Sequence, residues 1–130
     1  MAAVKINLQI KSAGLFSSPL NLVEADAINA TGVVTRLAKL ITATVGSSVK
    51  LLDKTDFTDA DDQAMVLIKN TGDTYDLFVE VTSGVEAMKL KPGQFAMFPW
   101  HTDDTTGNDL YVYASNATGT NVEATVIELT

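Results

Sequence analysis

"AMVLIKNTGDTYDLFVEV" (Ala64–Val81) is the stretch on which the fold class turns. Ala64–Asn70 is nearly continuously apolar, as a central strand covered on both faces would be. On that reading an aspartate at Leu67 unfolds the domain. "TGDT" supplies a turn. Tyr75, Leu77, Val79 and Val81 then alternate with Asp76, Phe78 and Glu80, the period-2 pattern of a strand.

Outward from this stretch the same grammar repeats. Downstream, "TSG" turns the chain into the short strand "VEAMKL", and "KPG" turns it again. Proline presets φ and glycine supplies the positive φ that a tight turn needs next. In "QFAMF", Phe95 and Met97 share one face, with Gln94, Ala96 and Phe98 on the other; Pro99 places this strand at an edge or ends its pairing. "LYVYAS" and "NVEATVIEL" close the chain around "NATGT". In the last strand Val122, Ala124, Val126 and Glu128 share one face, with Glu123, Thr125, Ile127 and Leu129 on the other. Apolar groups on both faces again predict a strand covered on two sides.

Upstream, "VKLL" (Val49–Leu52) is a short strand running into the polar stretch "DKTDFTDADDQ". "VVTRLAKLITATV" (Val33–Val45) has helical and strand readings; its many β-branched residues favour strand, in one piece or two. "EADAINATG" reads as a loop, and Leu20, Leu22 and Val23 as a short strand after the breaker-rich "SAGLFSSP". At the start, "VKINLQI" puts Val4, Ile6, Leu8 and Ile10 on one face and Lys5, Asn7 and Gln9 on the other. Eight to ten short strands at regular spacing predict an all-β chain: an antiparallel β-sandwich or jelly roll, forming a single domain over residues 1–130.

Composition narrows the function. The 130 residues can bury a real core, and no apolar run approaches the roughly 18 residues of a membrane span. The start lacks the basic and apolar blocks of a secretory signal. Nine basic against 16 acidic residues give a formal charge of −7, which disfavours nucleic acid as a partner. The lack of cysteine rules out disulfides, thiol catalysis and thiolate metal sites.

Trp100 and His101, the chain's only tryptophan and histidine, stand beside Asp103 and Asp104. One histidine with two aspartates cannot assemble the nitrogen-rich site of a metal cupin. Asp53–Asp62 concentrates carboxylates that could attract calcium, but it lacks the ligand spacing, glycine and terminal glutamate of an EF-hand loop. No "GxSxG" elbow presents a serine, and "GSSVK" is too short for a phosphate loop. "NAT" at Asn29 and Asn116 matches the glycosylation pattern, but the start carries no secretory signal to go with it. The expectation is a protein that is not an enzyme and uses no cofactor or catalytic metal.

Three segments carry a resemblance: "LLDKTDFTDADDQAMVLIKNTGDTYDLFVEV", "LKPGQFAMFPW" and "DLYVYASNATGTNVEATVIEL". In this order they resemble small virion proteins of tailed bacteriophages, in which an Ile-Lys-Asn-Thr-Gly strand-turn, a Pro-Gly-Gln turn-strand and a closing hairpin recur. The resemblance spans about Leu51 to Leu129 and implies a β-sandwich built into the particle, most like a capsid decoration (cement) protein. It implies the major capsid protein as partner, a homotrimer, and a place on the capsid surface of the virion. A tail or host-attachment component, or a ligand-binding sandwich, is the alternative. Residues 1–18 would then be an N-terminal docking strand and loop suited to strand addition. Ile6, Leu8 and Ile10 are its contact residues; Phe98, Trp100, Tyr111 and Tyr113 are candidates for protomer contacts that the core could equally claim.

Overall fold

The structure, a computed structural model, describes residues 2–12, 20–57, 63–103 and 105–129. The strands are β1 (Ala2–Ser12), β2 (Leu20–Ile41), β3 (Val49–Leu52), β4 (Gln63–Asn70), β5 (Leu77–Thr82), β6 (Val85–Leu90), β7 (Phe95–His101), β8 (Leu110–Ala114) and β9 (Thr120–Leu129). A 3-10 turn covers Lys54–Phe57.

Two antiparallel sheets are formed, in the orders β1-β2-β9-β4-β7 and β3-β8-β5-β6. From β2 onward each strand hands the chain to the opposite sheet, except at the step from β5 to β6, which stays within one sheet. This is the double Greek key of a jelly roll, with β1 added beside β2. The core lies between the sheets. Val66, Ile68, Val122, Ala124 and Val126 from the first meet Leu77, Val79, Leu110 and Val112 from the second, all essentially inaccessible to water.

The pairing register explains the alternation in β4 and β9. Ala64, Val66 and Ile68 point into the core beside Val122, Ala124 and Val126, while Met65, Leu67 and Ile127 point outward and are half-exposed. Among the described residues the chain packs one face of these strands and leaves the other partly exposed. This corrects the expectation of strands covered on both faces and removes Leu67 from the core.

Four further differences have physical causes. The expected short strand at Leu20–Val23 and loop over "EADAINATG" are one continuous strand, β2, of 22 residues. Pairing with β1 from Ala2↔Ala30 to Ser12↔Leu20 meets the backbone needs of this polar stretch, so no core-facing pattern is required there. Strand character ends at Ile41, before Val45, because the chain crosses to the other sheet, where the Ala43 carbonyl accepts from the Ala114 amide. In β5 the register shifts at Val79/Glu80; Glu80 is buried, its Oε2 accepting from the Gly84 amide at 2.9 Å, and Val81 is only half-buried. The polar stretch after β3 is anchored by an apolar residue, Phe57, which is buried edge-on against Trp100 at 5.6 Å.

Candidate functional site

Beyond the body, β1 and the first half of β2 form a two-stranded ribbon. β2 pairs with β1 up to Ala30 and with β9 from Val34 to Ile41, with one contact at Ala30↔Leu129 and an irregularity between Ala30 and Val34. At about 3.3 Å per residue, the ten residues from Ala30 back to Leu20 carry the ribbon roughly 33 Å past the end of β9. Both of its faces are in water where they are described: Leu8 is 45% exposed and Val23, on the opposite face, 55%. Ile6 is half-buried, opposite Asp26 in the register. The backbone of Ile10 pairs with that of Leu22, while its side chain lies outside the described part. Among the described strands β1 lies at the edge of its sheet, with β2 as its neighbour.

The second surface is the outward face of the five-stranded sheet. Four strands align there in rows of cross-strand partners: Val34, Ile127, Met65 and Pro99 in one row, Arg36, Thr125, Leu67 and Met97 in the next, and Ala38, Glu123, Lys69 and Phe95 in the third. Phe95 is 58% exposed and Val34 52%. An open depression of about 430 Å³ lies among Arg36, Ala38, Leu67, Lys69, Glu123 and Thr125. Outward sheet faces in a sandwich are ordinarily polar. This one mixes apolar Val34, Met65, Leu67, Phe95, Met97 and Ile127 with Arg36, Lys69, Glu123 and Thr125.

The aromatic candidates fall elsewhere. Trp100 and Phe98 point inward from β7: Trp100 is buried, its Nε1 donating to the Asn108 carbonyl at 2.7 Å, and Phe98 packs against the core. Tyr111 and Tyr113 lie on the outward side of the other sheet, beside Glu80 and Phe78 respectively. Tyr113 is buried there, stacked on Phe78 at 4.7 Å with its hydroxyl donating to Glu86. Burial, and then the Glu86 contact, push its phenol up to about 12. Thus Trp100 and Tyr113 are packed within the protomer and Tyr111 is half-buried, while the three arm residues stand apart. The seven do not form one surface.

The loop after Trp100 is structural in its geometry. Asp103 Oδ1 accepts from the Thr105 and Thr106 amides and the Thr106 hydroxyl; those bonds, the Thr106 amide first, hold its carboxyl below the ordinary range. His101 is exposed at the end of β7, opposite Gln63; Asp104 lies outside the described residues. In the acidic stretch, Lys50 bridges Asp53 at 2.9 Å and Asp109 at 2.8 Å, and Asp109 also accepts from the Lys54 amide. Both carboxyls are held low, chiefly by the Lys50 ammonium, whose own pKa is raised, chiefly by Asp109. Asp59, Asp61 and Asp62 lie outside the described residues. Among the described residues no three His, Asp or Glu side chains gather as a metal-binding group, and no helix is long and apolar enough to cross a membrane.

The segments behind the phage resemblance meet at one buried residue. Asn70 Nδ2 donates to the Tyr75 and Leu90 carbonyls, each at 2.9 Å; its Oδ1 accepts from the Gly72 amide and the Thr120 hydroxyl. Its backbone pairs with Gln94 and Gly93. One side chain thus ties the "KNTGD" turn, the "LKPGQ" turn and the start of β9 together. Those motif residues hold the turns and strands in place.

Sequence reasoning missed the outward sheet face, although two signals pointed to it. Both β4 and β9 read as apolar on two faces, and Phe95 and Met97 share a face opposite Phe98. What the sequence could not supply was which of these faces the chain itself would cover. Comparison of the chain with protein-family models, with curated proteins and with solved structures finds no match.

Proposed function

We propose that this chain is a non-enzymatic structural protein of a tailed-phage virion: a decoration (cement) protein that self-associates, as a homotrimer, on the capsid surface and bridges neighbouring major capsid subunits. The observation that carries the reading is the ribbon of β1 and β2, which projects from a jelly-roll body and exposes apolar side chains on both faces. An isolated two-stranded ribbon is marginally stable in water, so a long one is best explained by a surface on which it lies. The segment resemblance supplies the particle, and the shortage of convergent reactive groups among the described residues fits a mechanical role. A cement protein acts by mass action: its binding free energy adds to each lattice contact it spans, and a closed ring matches a threefold position of the shell.

The test is deletion of the gene. Particles without the protein should assemble at normal size but release DNA at lower temperature than complete ones, with purified protein restoring the difference. Particles that are equally robust but fail to adsorb to cells would move the protein to the host-attachment apparatus.

A further inference from the structure

We propose that Glu80 and Glu86 hold a hard divalent cation, calcium by its chemistry, on the outer side of the four-stranded sheet. The inference goes beyond the proposed function and does not depend on where the protein sits.

The chain places two carboxylates where a sheet ordinarily avoids them. Glu80 in β5 and Glu86 in β6 are direct partners across the hairpin. Like charges so placed weaken a strand pair. Glu80 is also only 3% exposed, so its carboxylate has given up most of its hydration. A buried charge is costly unless an opposite charge answers it. Among the described residues none does. Lys50 stands in the same cross-strand row, through Tyr111, but its ammonium bridges Asp53 and Asp109. Lys89, from the same hairpin, pairs with Asp76.

Each carboxylate also keeps an oxygen in reserve. Glu80 Oε2 accepts from the Gly84 amide, and Glu86 Oε1 accepts from the Tyr113 hydroxyl. Glu80 Oε1 and Glu86 Oε2 have no partner among the described residues. Both side chains line an open depression of about 280 Å³, with Ser48, Ser83 and the turn glycines Gly46 and Gly84 around them. An unpaired, nine-tenths buried carboxylate therefore borders a space that a cation can enter.

The lining selects the ion. It offers carboxylate, hydroxyl and backbone oxygens and no imidazole, which suits a hard cation rather than zinc or copper. Burial, and then Glu86, keep the Tyr113 phenol protonated up to about 12, so it stays a neutral donor and the site keeps its two negative charges. Calcium accepts an irregular oxygen shell completed by water, whereas magnesium demands a strict octahedron. Two carboxylates, rather than three or four, set the affinity at the weak end, about 10⁻⁴–10⁻³ M. Bound there, the ion would clip the β5–β6 hairpin to the Val45–Ser48 turn that leads from one sheet to the other.

The test uses the full-length protein, stripped with chelator and titrated with calcium chloride by calorimetry and thermal melting. Glu80→Gln and Glu86→Gln remove charge but keep an oxygen for the Gly84 amide and the Tyr113 hydroxyl, so cation binding is separated from the hairpin's own bonds. Calcium at about ten times its dissociation constant should raise the wild-type melting temperature by about 5 °C, and sodium chloride of equal ionic strength should not. Each glutamine variant should bind calcium at least tenfold more weakly, yet melt no lower than wild type in chelator, because repulsion across the hairpin is relieved. Asp59→Asn with Asp61→Asn and Asp62→Asn should leave the affinity unchanged. A wild type with no calcium-dependent heat or melting shift by about 10 mM overturns the inference. So does a shift that sodium chloride reproduces, that survives Glu86→Gln, or that disappears with the changes at Asp59, Asp61 and Asp62. Should Glu80→Gln fail to fold, Glu86→Gln, on an exposed side chain, decides alone.

Discussion

Asn70 shows how much one polar side chain can organise. It is fully buried, yet all four hydrogen-bonding capacities of its amide are met. Truncation takes this partner from the Tyr75 and Leu90 carbonyls and from the Thr120 hydroxyl, while the Gly72 amide keeps the Asn121 carbonyl, so Asn70→Ala should cost about 2–4 kcal/mol, read as a lower urea midpoint with an unchanged slope. Gly72 belongs to the same unit. A Cβ there would collide with the Thr120 hydroxyl that bonds Asn70. Gly72→Ala should therefore destabilise strongly in the wild type but weakly in a Thr120→Ala background, and a double-mutant cycle measures the coupling. Equal costs in both backgrounds would show that Gly72 is needed for something other than this close approach. Nearby, Gly93 holds φ at 80° in the Lys91–Gln94 turn, as the Pro-Gly pair predicts.

At the scale of elements, the acidic end of the body is stitched by Lys50, Lys54, Asp53 and Asp109. Asp53, Asp103 and Asp109 are each held below the ordinary aspartate value, near 3.9. As pH falls through about 4 the unfolded chain takes up protons more readily than the folded one, so stability should be complete above that range and fall below it. Asp109→Asn should lower the melting temperature at pH 7 and shrink the loss between pH 5 and pH 3; an identical acid profile in the variant would remove these contacts from the account. β9 is a different case, since it pairs on both sides and sends Val122, Ala124 and Val126 into the core. Deleting Val122–Thr130 should leave no cooperative unfolding transition, and a folded, monodisperse product would contradict its place in the fold. Where strands alternate against the core, as in "LYVYAS" and "NVEATVIEL", the sequence was legible, because burial imposes the period. β2 was not. Its first half pairs only with β1 in a solvated ribbon, where no core demands a pattern and "EADAINATG" passes for a loop. Of the candidate site, the arm at Ile6 and Leu8 was legible from its alternation. The sheet face was hidden, because composition reports that a strand is apolar on both sides but not which side the chain itself packs.

On the scale of the whole molecule, the two faces of β4 separate folding from assembly. Leu67 and Ile68 are adjacent, apolar and indistinguishable by composition, yet they point to opposite sides of the sheet. Ile68 is fully buried between Ala124 and Ala96. A carboxylate placed there would lose its hydration without a partner, at a cost of several kcal/mol, so Ile68→Asp should abolish the folded state. Leu67 is half-exposed on the outward face, and Leu67→Asp should change protomer stability by no more than about 1 kcal/mol. On the proposed function its effect should appear in self-association, because the same carboxylate would lose its hydration beneath a partner that covers this face. Light scattering should find Leu67→Asp folded but dissociated, and particles supplied only with that variant should be as heat-sensitive as particles lacking the protein. Ile6→Asp, in the ribbon and away from the core, should likewise leave the melting transition intact. If Leu67→Asp instead unfolds the isolated chain as thoroughly as Ile68→Asp, the outward face is part of the protomer's own core.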